Sequence, residues 1–119
     1  MFYEPKNGHD LPENPLNALV IPRPIGWIST LNSEGVPNLA PYSFFNAVAY
    51  TPPQVMFAAT GCHMFGGSKD AVADAESTGE FVVNIATLEL AEQMNASSVP
   101  APHNTDEFEY SGLTKANSK

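Results

Sequence analysis

Positive charge is scarce in this chain. Its 119 residues carry five lysines and arginines against thirteen acidic residues, a formal net charge of -8. That balance argues against nucleic acid, whose phosphates are met by basic surfaces. Between Lys6 and Lys115 the fixed cations are Arg23 and Lys69, so an anionic ligand would depend largely on those two. Cysteine is limited to Cys62, which excludes an intramolecular disulfide and suits a reducing compartment. No apolar run approaches the roughly 20 residues needed to span a bilayer. The start, Met-Phe-Tyr-Glu-Pro-Lys, lacks the basic and apolar regions of a signal peptide. The expectation is a cytoplasmic protein with neither a nucleic-acid nor a membrane partner.

Missing too are the usual catalytic and nucleotide signatures. No G-x-G-x-x-G opens a helix, and in the glycine-rich stretch 61–68 Gly67 stands where a phosphate loop would place its lysine. His9, His63 and His103 fit no zinc spacing, so no metal is expected. Cys62-His63 has no acidic orienting partner at a recognisable spacing and does not read as a nucleophile. Asp106, Glu107 and Glu109 read as a solvated acidic loop, not as an acid/base pair.

What the chain does have is proline, eleven residues spread along its length. At this spread they punctuate short strands rather than mark a disordered linker. Residues 1–17 read as a surface arm, and Leu19-Val20-Ile21 opens the ordered part. A hairpin follows, with a strand over 26–31, a loop Asn32-Ser33-Glu34-Gly35 and a second strand from Val36 toward Tyr50. Pro41 lies inside that second strand. A proline cannot donate to a ladder, so this stretch must be an edge, a bulge or a surface kept open for a ligand. After Thr51-Pro52-Pro53, Val55-Met56-Phe57-Ala58-Ala59 reads as a fully buried strand. Ser68 is read as the N-cap of a helix over 69–78, with Asp70 in its first turn and Gly79 as its stop. Residues 81–85 form a further strand, and Thr87 caps a helix over 88–96. Four or five strands with two short helices make an antiparallel, mainly β or α+β domain, without repeat or second domain.

The candidate binding residues gather around two places. Lys69 and Asp70 sit where a helix N-terminus offers free N–H groups and the positive end of its dipole. The plain alternative is an ordinary cap with a solvated lysine. Arg23, stiffened by Pro22 and Pro24 and close in sequence to Ser29 and Thr30, either grips a phosphate or makes a surface ion pair. Trp27 is either core or the border of a planar ligand. Ala40-Pro41-Tyr42-Ser43 either presents amides and a hydroxyl to the polar edge of a ring system or kinks a barrel corner. A planar anionic cofactor such as flavin mononucleotide (FMN) meets both needs, and leaves the redox chemistry to the cofactor.

These segments resemble the N-terminal part of the flavin reductase-like family, the FMN-binding split barrels. The resemblance rests on Pro22-Arg-Pro-Ile-Gly-Trp-Ile-Ser-Thr30, Asn38-Leu-Ala-Pro-Tyr-Ser-Phe-Phe-Asn46, Pro52-Pro53, Lys69-Asp70, Gly79-Glu-Phe-Val-Val-Asn84 and Glu107-Phe-Glu-Tyr-Ser-Gly-Leu113, in order along nearly the whole chain. It implies a six-stranded antiparallel split barrel with FMN at a homodimer interface and hydride transfer from NADH or NADPH. Some members are reductase partners of two-component flavin monooxygenases. The resemblance also implies Trp27, Ser29 and Thr30 near the flavin tail, Ala40, Pro41, Tyr42 and Ser43 along the isoalloxazine with Asn46 nearby, and Lys69 with Asp70 at the phosphate. Ala71 stands where the family usually has a small hydroxyl residue. Members continue beyond Gly112-Leu113-Thr114, so the domain over 1–119 is expected to be incomplete at its C-terminus. Three roles follow: an NAD(P)H-dependent flavin reductase, an FMN-binding electron carrier or flavin store without turnover, or a remnant with only an association role.

Overall fold

Six residues, Gly26–Leu31, four of them buried, form strand β1, the centre of the architecture. In the computed structural model, which describes residues 2–118, β1 is flanked by β2 (Pro37–Tyr42) on one side and β5 (Val82–Asn84) on the other, both antiparallel to it. The β1–β2 hairpin turns at Asn32, whose side-chain carbonyl accepts the N–H groups of Glu34 and Val36. Gly35 supplies the left-handed backbone, at φ 81°, that closes the turn. β2 is an edge strand, which is how it accommodates Pro37 and Pro41.

A second sheet pairs β3 (Phe45–Ala49) with β4 (Gln54–Phe57), with an irregularity between Ala47 and Ala49. It meets the first sheet through aromatic rings. Tyr42 and Phe57 lie 5.1 Å apart and Phe57 meets Phe81 edge-on at 4.9 Å. Among the described residues there are four short α-helices: α1 (Pro15–Leu19), α2 (Asp70–Thr78), α3 (Ala91–Ala96) and α4 (Glu107–Tyr110). α2 packs on β1 and β2 and ends at Gly79, at φ 79°. The buried apolar core consists of Trp27, Ile28, Leu39 and Ala71.

Several expectations need correction. The single long strand after the hairpin is two, β2 and β3, divided at Ser43 and Phe44. β4 is not fully buried: Val55 and Met56, consecutive residues that point to opposite faces of the two-stranded sheet, are each 43 % exposed among the described residues. Lys69, not Ser68, occupies the N-cap position of α2, without a side-chain cap. The helix expected over 88–96 is a 3-10 turn at Leu88–Leu90 followed by α3, and Thr87 makes no side-chain cap there. The five described strands form two antiparallel sheets beside short helices, as the expected α+β arrangement requires.

Glu107 departs furthest from its reading as solvated. It is buried, and one carboxylate oxygen accepts both the Leu39 backbone N–H and the Asn38 side-chain amide, each at 3.1 Å. Asp106 acts as the N-cap of α4, accepting from the N–H groups of Phe108 and Glu109. The acidic run is thus a structural latch as well as a charged surface.

Candidate functional site

A cleft of about 160 Å³ opens where the end of β2 faces the start of α2. Ala40, Pro41 and Tyr42 form one wall and Lys69 and Asp70 the other; Asn38, His63, Glu107 and residues 97–101 complete the lining. Two segments well separated in the sequence, both singled out from their residue types, therefore share one cavity. α2 brings its first turn there because Ala71, fully buried, anchors that turn against the core. β2 brings its wall because Glu107 holds Asn38 and Leu39 from below.

The cleft has features that suit a polar planar anion. The N-terminus of α2 has no side-chain cap; the Val72 N–H donates to the Lys69 carbonyl at 2.9 Å, which leaves the Asp70 and Ala71 N–H groups at the head of the helix dipole beside Lys69. Asn38 is buried, lines the cleft, and its side-chain carbonyl oxygen has no hydrogen-bond partner among the described residues, so a bound donor would satisfy it. The surroundings are otherwise acidic. Burial, and then the charges of Asp70, Glu107 and Asp74, push the Tyr42 hydroxyl up to about 12, so it stays a neutral donor. Burial likewise raises the Glu107 carboxyl above its ordinary value, partly opposed by the Leu39 N–H.

The other expected residues are placed differently. Trp27 is buried, and its indole N–H donates to Ser97 Oγ at 3.0 Å. Ser29 Oγ accepts from the Asn84 amide at 3.0 Å. Thr30 is buried and donates to Asp74 Oδ2 at 2.8 Å. Burial raises the Asp74 carboxyl, and that hydrogen bond partly offsets the effect. These three side chains support the floor of the β1 sheet and do not line the cleft. Arg23 also lies apart from it. Its Nε donates to Ser43 Oγ at 3.2 Å, its terminal nitrogen donates to the Asn17 and Val20 carbonyls, and it lies over the Phe44 ring. Arg23 thus fastens α1 to the β2–β3 junction. Asn46 is exposed on β3.

A larger hollow of about 530 Å³ is lined by Phe57 and Phe81 and by Val72, Ala75 and Glu76 of α2, and shares Lys69 with the cleft. It offers mainly apolar walls. The cleft concentrates the polar groups that would orient a ligand, which favours it as the candidate site.

Sequence reasoning missed Glu107, Asp74 and Asn38. Glu107 lay hidden in an acidic run, and Asp74 in the middle of a helix has no local signal. It also missed that His63 and His103 come together. Their rings stack at 4.0 Å, 29° from parallel, over the Asp70 carboxylate. One ligand atom from each of the three lies within 4.8 Å of the others.

The fold and the chain's relatives agree. Residues 18–119 match the flavin reductase like domain. An uncharacterized protein of Aquifex aeolicus is 43% identical over 102 residues, covering 86% of this chain and 52% of its own length. A Bacillus subtilis protein, YwrF, is 34% identical over 87% of this chain and 50% of its own. Nitrilotriacetate monooxygenase component B from Bacillus cereus superposes with a TM-score of 0.85 at 31% identity, covering all of this chain and 58% of that one. The 2-nitrobenzoate 2-nitroreductase of Pseudomonas fluorescens does so with a TM-score of 0.72 at 34% identity, over 85% of this chain and 46% of that one. A split-barrel protein from Shewanella frigidimarina, at 21% identity and a TM-score of 0.71, shares the fold. The chain spans about half the length of the curated relatives it matches. With its antiparallel sheets, short helices and this match over most of its length, the chain belongs to the flavin reductase like family of split-barrel proteins.

Proposed function

We propose that this chain is the FMN-binding portion of an NAD(P)H-dependent flavin reductase. The observation that carries the reading is the shared cleft of Ala40-Pro41-Tyr42 and Lys69-Asp70, in a chain of this family. In this reading the β2 wall lies along the isoalloxazine, while Lys69 and the open N-terminus of α2 hold the phosphate. Asn38 would offer its unpartnered carbonyl to a donor on the ligand. Bound FMN would accept hydride from NADH or NADPH, chemistry that the side chains themselves do not supply. Ser29, Thr30 and Trp27 would act indirectly, by holding the strand that carries the floor.

A homodimer belongs to the same reading. Val48, Val55 and Met56 are large apolar side chains left open on the β3–β4 sheet, where a second copy would cover them. Reduced flavin would then pass to an acceptor, for which a monooxygenase is a natural partner, given the likeness to component B of nitrilotriacetate monooxygenase. The alternatives are an FMN-binding carrier without turnover and a chain with only an association role. Titration with FMN, followed by quenching of flavin fluorescence, should show saturable binding, and NADH or NADPH consumption should then depend on added FMN. Binding without consumption would favour the carrier. A folded sample that binds no FMN would overturn the reading.

A further inference from the structure

The His103–Asp70 pair carries more than a surface contact. His103 Nε2 faces the Gly66 carbonyl at 3.1 Å, and a carbonyl only accepts, so Nε2 bears a hydrogen. His103 Nδ1 faces Asp70 Oδ1 at 2.5 Å, so a proton lies between those two atoms as well. A neutral imidazole carries one N–H, so it can donate to the Asp70 carboxylate or to the Gly66 carbonyl but not to both; the two contacts persist together only while the ring is protonated. His63 supports the same carboxylate. Its Nδ1 accepts the Phe65 N–H at 3.2 Å, which leaves Nε2 as the donor nitrogen, 3.7 Å from Asp70 Oδ2.

The pair joins two loops at the candidate site. Gly66 belongs to the loop before α2, whereas His103 belongs to the loop before α4, which Asn104 ties to Asn32 of the β1–β2 turn. Asp70 lines the cleft beside Lys69, and with His103 and Asp74 it lines a neighbouring hollow of about 230 Å³. The titratable and charged groups facing this region are Asp70, Asp74, Glu107, Tyr42, His63 and Lys69. The three carboxylates outnumber the one fixed cation.

We propose that His103 and Asp70 form a proton-operated clasp: protonated, it closes the two loops together and offsets the Asp70 charge beside the anion site, and deprotonated, it gives up one of its two contacts and no longer offsets that charge. The effect on a bound anion rests on the FMN reading above; the clasp itself does not. The Asp70 carboxylate, the main influence, holds the His103 imidazole above its ordinary 6.5, partly opposed by desolvation. The two contacts are therefore made together below that raised value and broken as pH rises through it. The titration belongs to the pair rather than to either residue.

Titrating the imidazole protons by NMR tests the clasp without any ligand, with His103→Asn identifying the resonance. We expect His103 to titrate above 6.5 and to fall back toward 6.5 in Asp70→Asn. A midpoint at or below 6.5, or one unchanged in Asp70→Asn, overturns the clasp. So does Zn²⁺ binding at one ion per chain that Asp70→Asn abolishes. FMN affinity measured across the same pH range then tests the link to the site. It should weaken by about two- to fivefold as the clasp deprotonates, the size of an exposed charge pair. Ionisation of the phosphate itself, near pH 6, acts in the opposite direction and remains in His103→Asn, whose profile should lack the alkaline fall. An identical profile in His103→Asn overturns control of the site by the clasp. If His103 titrates as expected but FMN does not bind at any pH, the flavin reading fails and the clasp stands.

Discussion

The Glu107 carboxylate accepts the backbone N–H of Leu39 at 3.1 Å, linking the last helix to the strand that carries one wall of the cleft. The same oxygen holds the Asn38 amide, so one buried acid fixes two consecutive residues of β2. Removing it would leave two donors buried without a partner. Glu107→Ala should therefore destabilise the fold by about 1–3 kcal/mol, as read by urea denaturation. Glu107→Gln keeps an acceptor oxygen and should cost less.

The same residue carries a pH dependence. Burial raises the Glu107 carboxyl above its ordinary 4.5, so the folded chain binds a proton that the unfolded chain has released. Stability should then fall as pH rises from about 4.5 through the raised value. Asp74, raised by burial, contributes in the same sense above 3.8. Glu107→Gln should flatten part of that slope in thermal melts at stepped pH. A slope identical in wild type and variant would show that Glu107 does not titrate differently on folding.

Gly26 couples the two sheets by having no side chain. A Cβ there would lie 2.5 and 2.7 Å from Cδ2 and Cγ of Phe45, at the root of the ring where it cannot swing away. Gly26→Ala should cost about 1–3 kcal/mol through overpacking, and a paired Phe45→Leu change should recover part of the loss. Denaturation midpoints of the single and double variants check this.

Trp27 is the only tryptophan, so its fluorescence reports one environment. Its N–H bond to Ser97 Oγ ties β1 to the end of α3, and Ser97 Oγ in turn donates to the Met94 carbonyl at 2.8 Å. Ser97→Ala should lower stability by about 1–3 kcal/mol by orphaning the indole N–H. The native emission should stay blue-shifted, since the ring remains enclosed.

Much of the scaffold was legible in local chemistry. Asn32 and Gly35 mark the hairpin turn, Pro41 marks an edge strand, and Gly79 marks the end of α2; each acts on its own neighbours. The burial of β4 was misread because an apolar run such as Val55-Met56-Phe57 states only that something should cover it, and not what does. The cleft was half legible. Lys69 and the Ala40–Tyr42 segment stand out by residue type, but Glu107, Asp74 and the stacked His63 and His103 gain their roles from partners distant in sequence. Arg23, Ser29 and Thr30 show the reverse case: residues suited to a phosphate by type, whose donors and acceptors are taken up within the fold.

The most direct test of the account compares FMN and riboflavin, which share a ring system and differ in the phosphate, on wild type and Lys69→Ala. If Lys69 meets the phosphate, FMN affinity should fall about 10- to 150-fold, the equivalent of roughly 1.5–3 kcal/mol for a charge-assisted contact. Riboflavin affinity should stay the same. Equal losses for both ligands, or none for FMN, would contradict the placement of the phosphate at the start of α2.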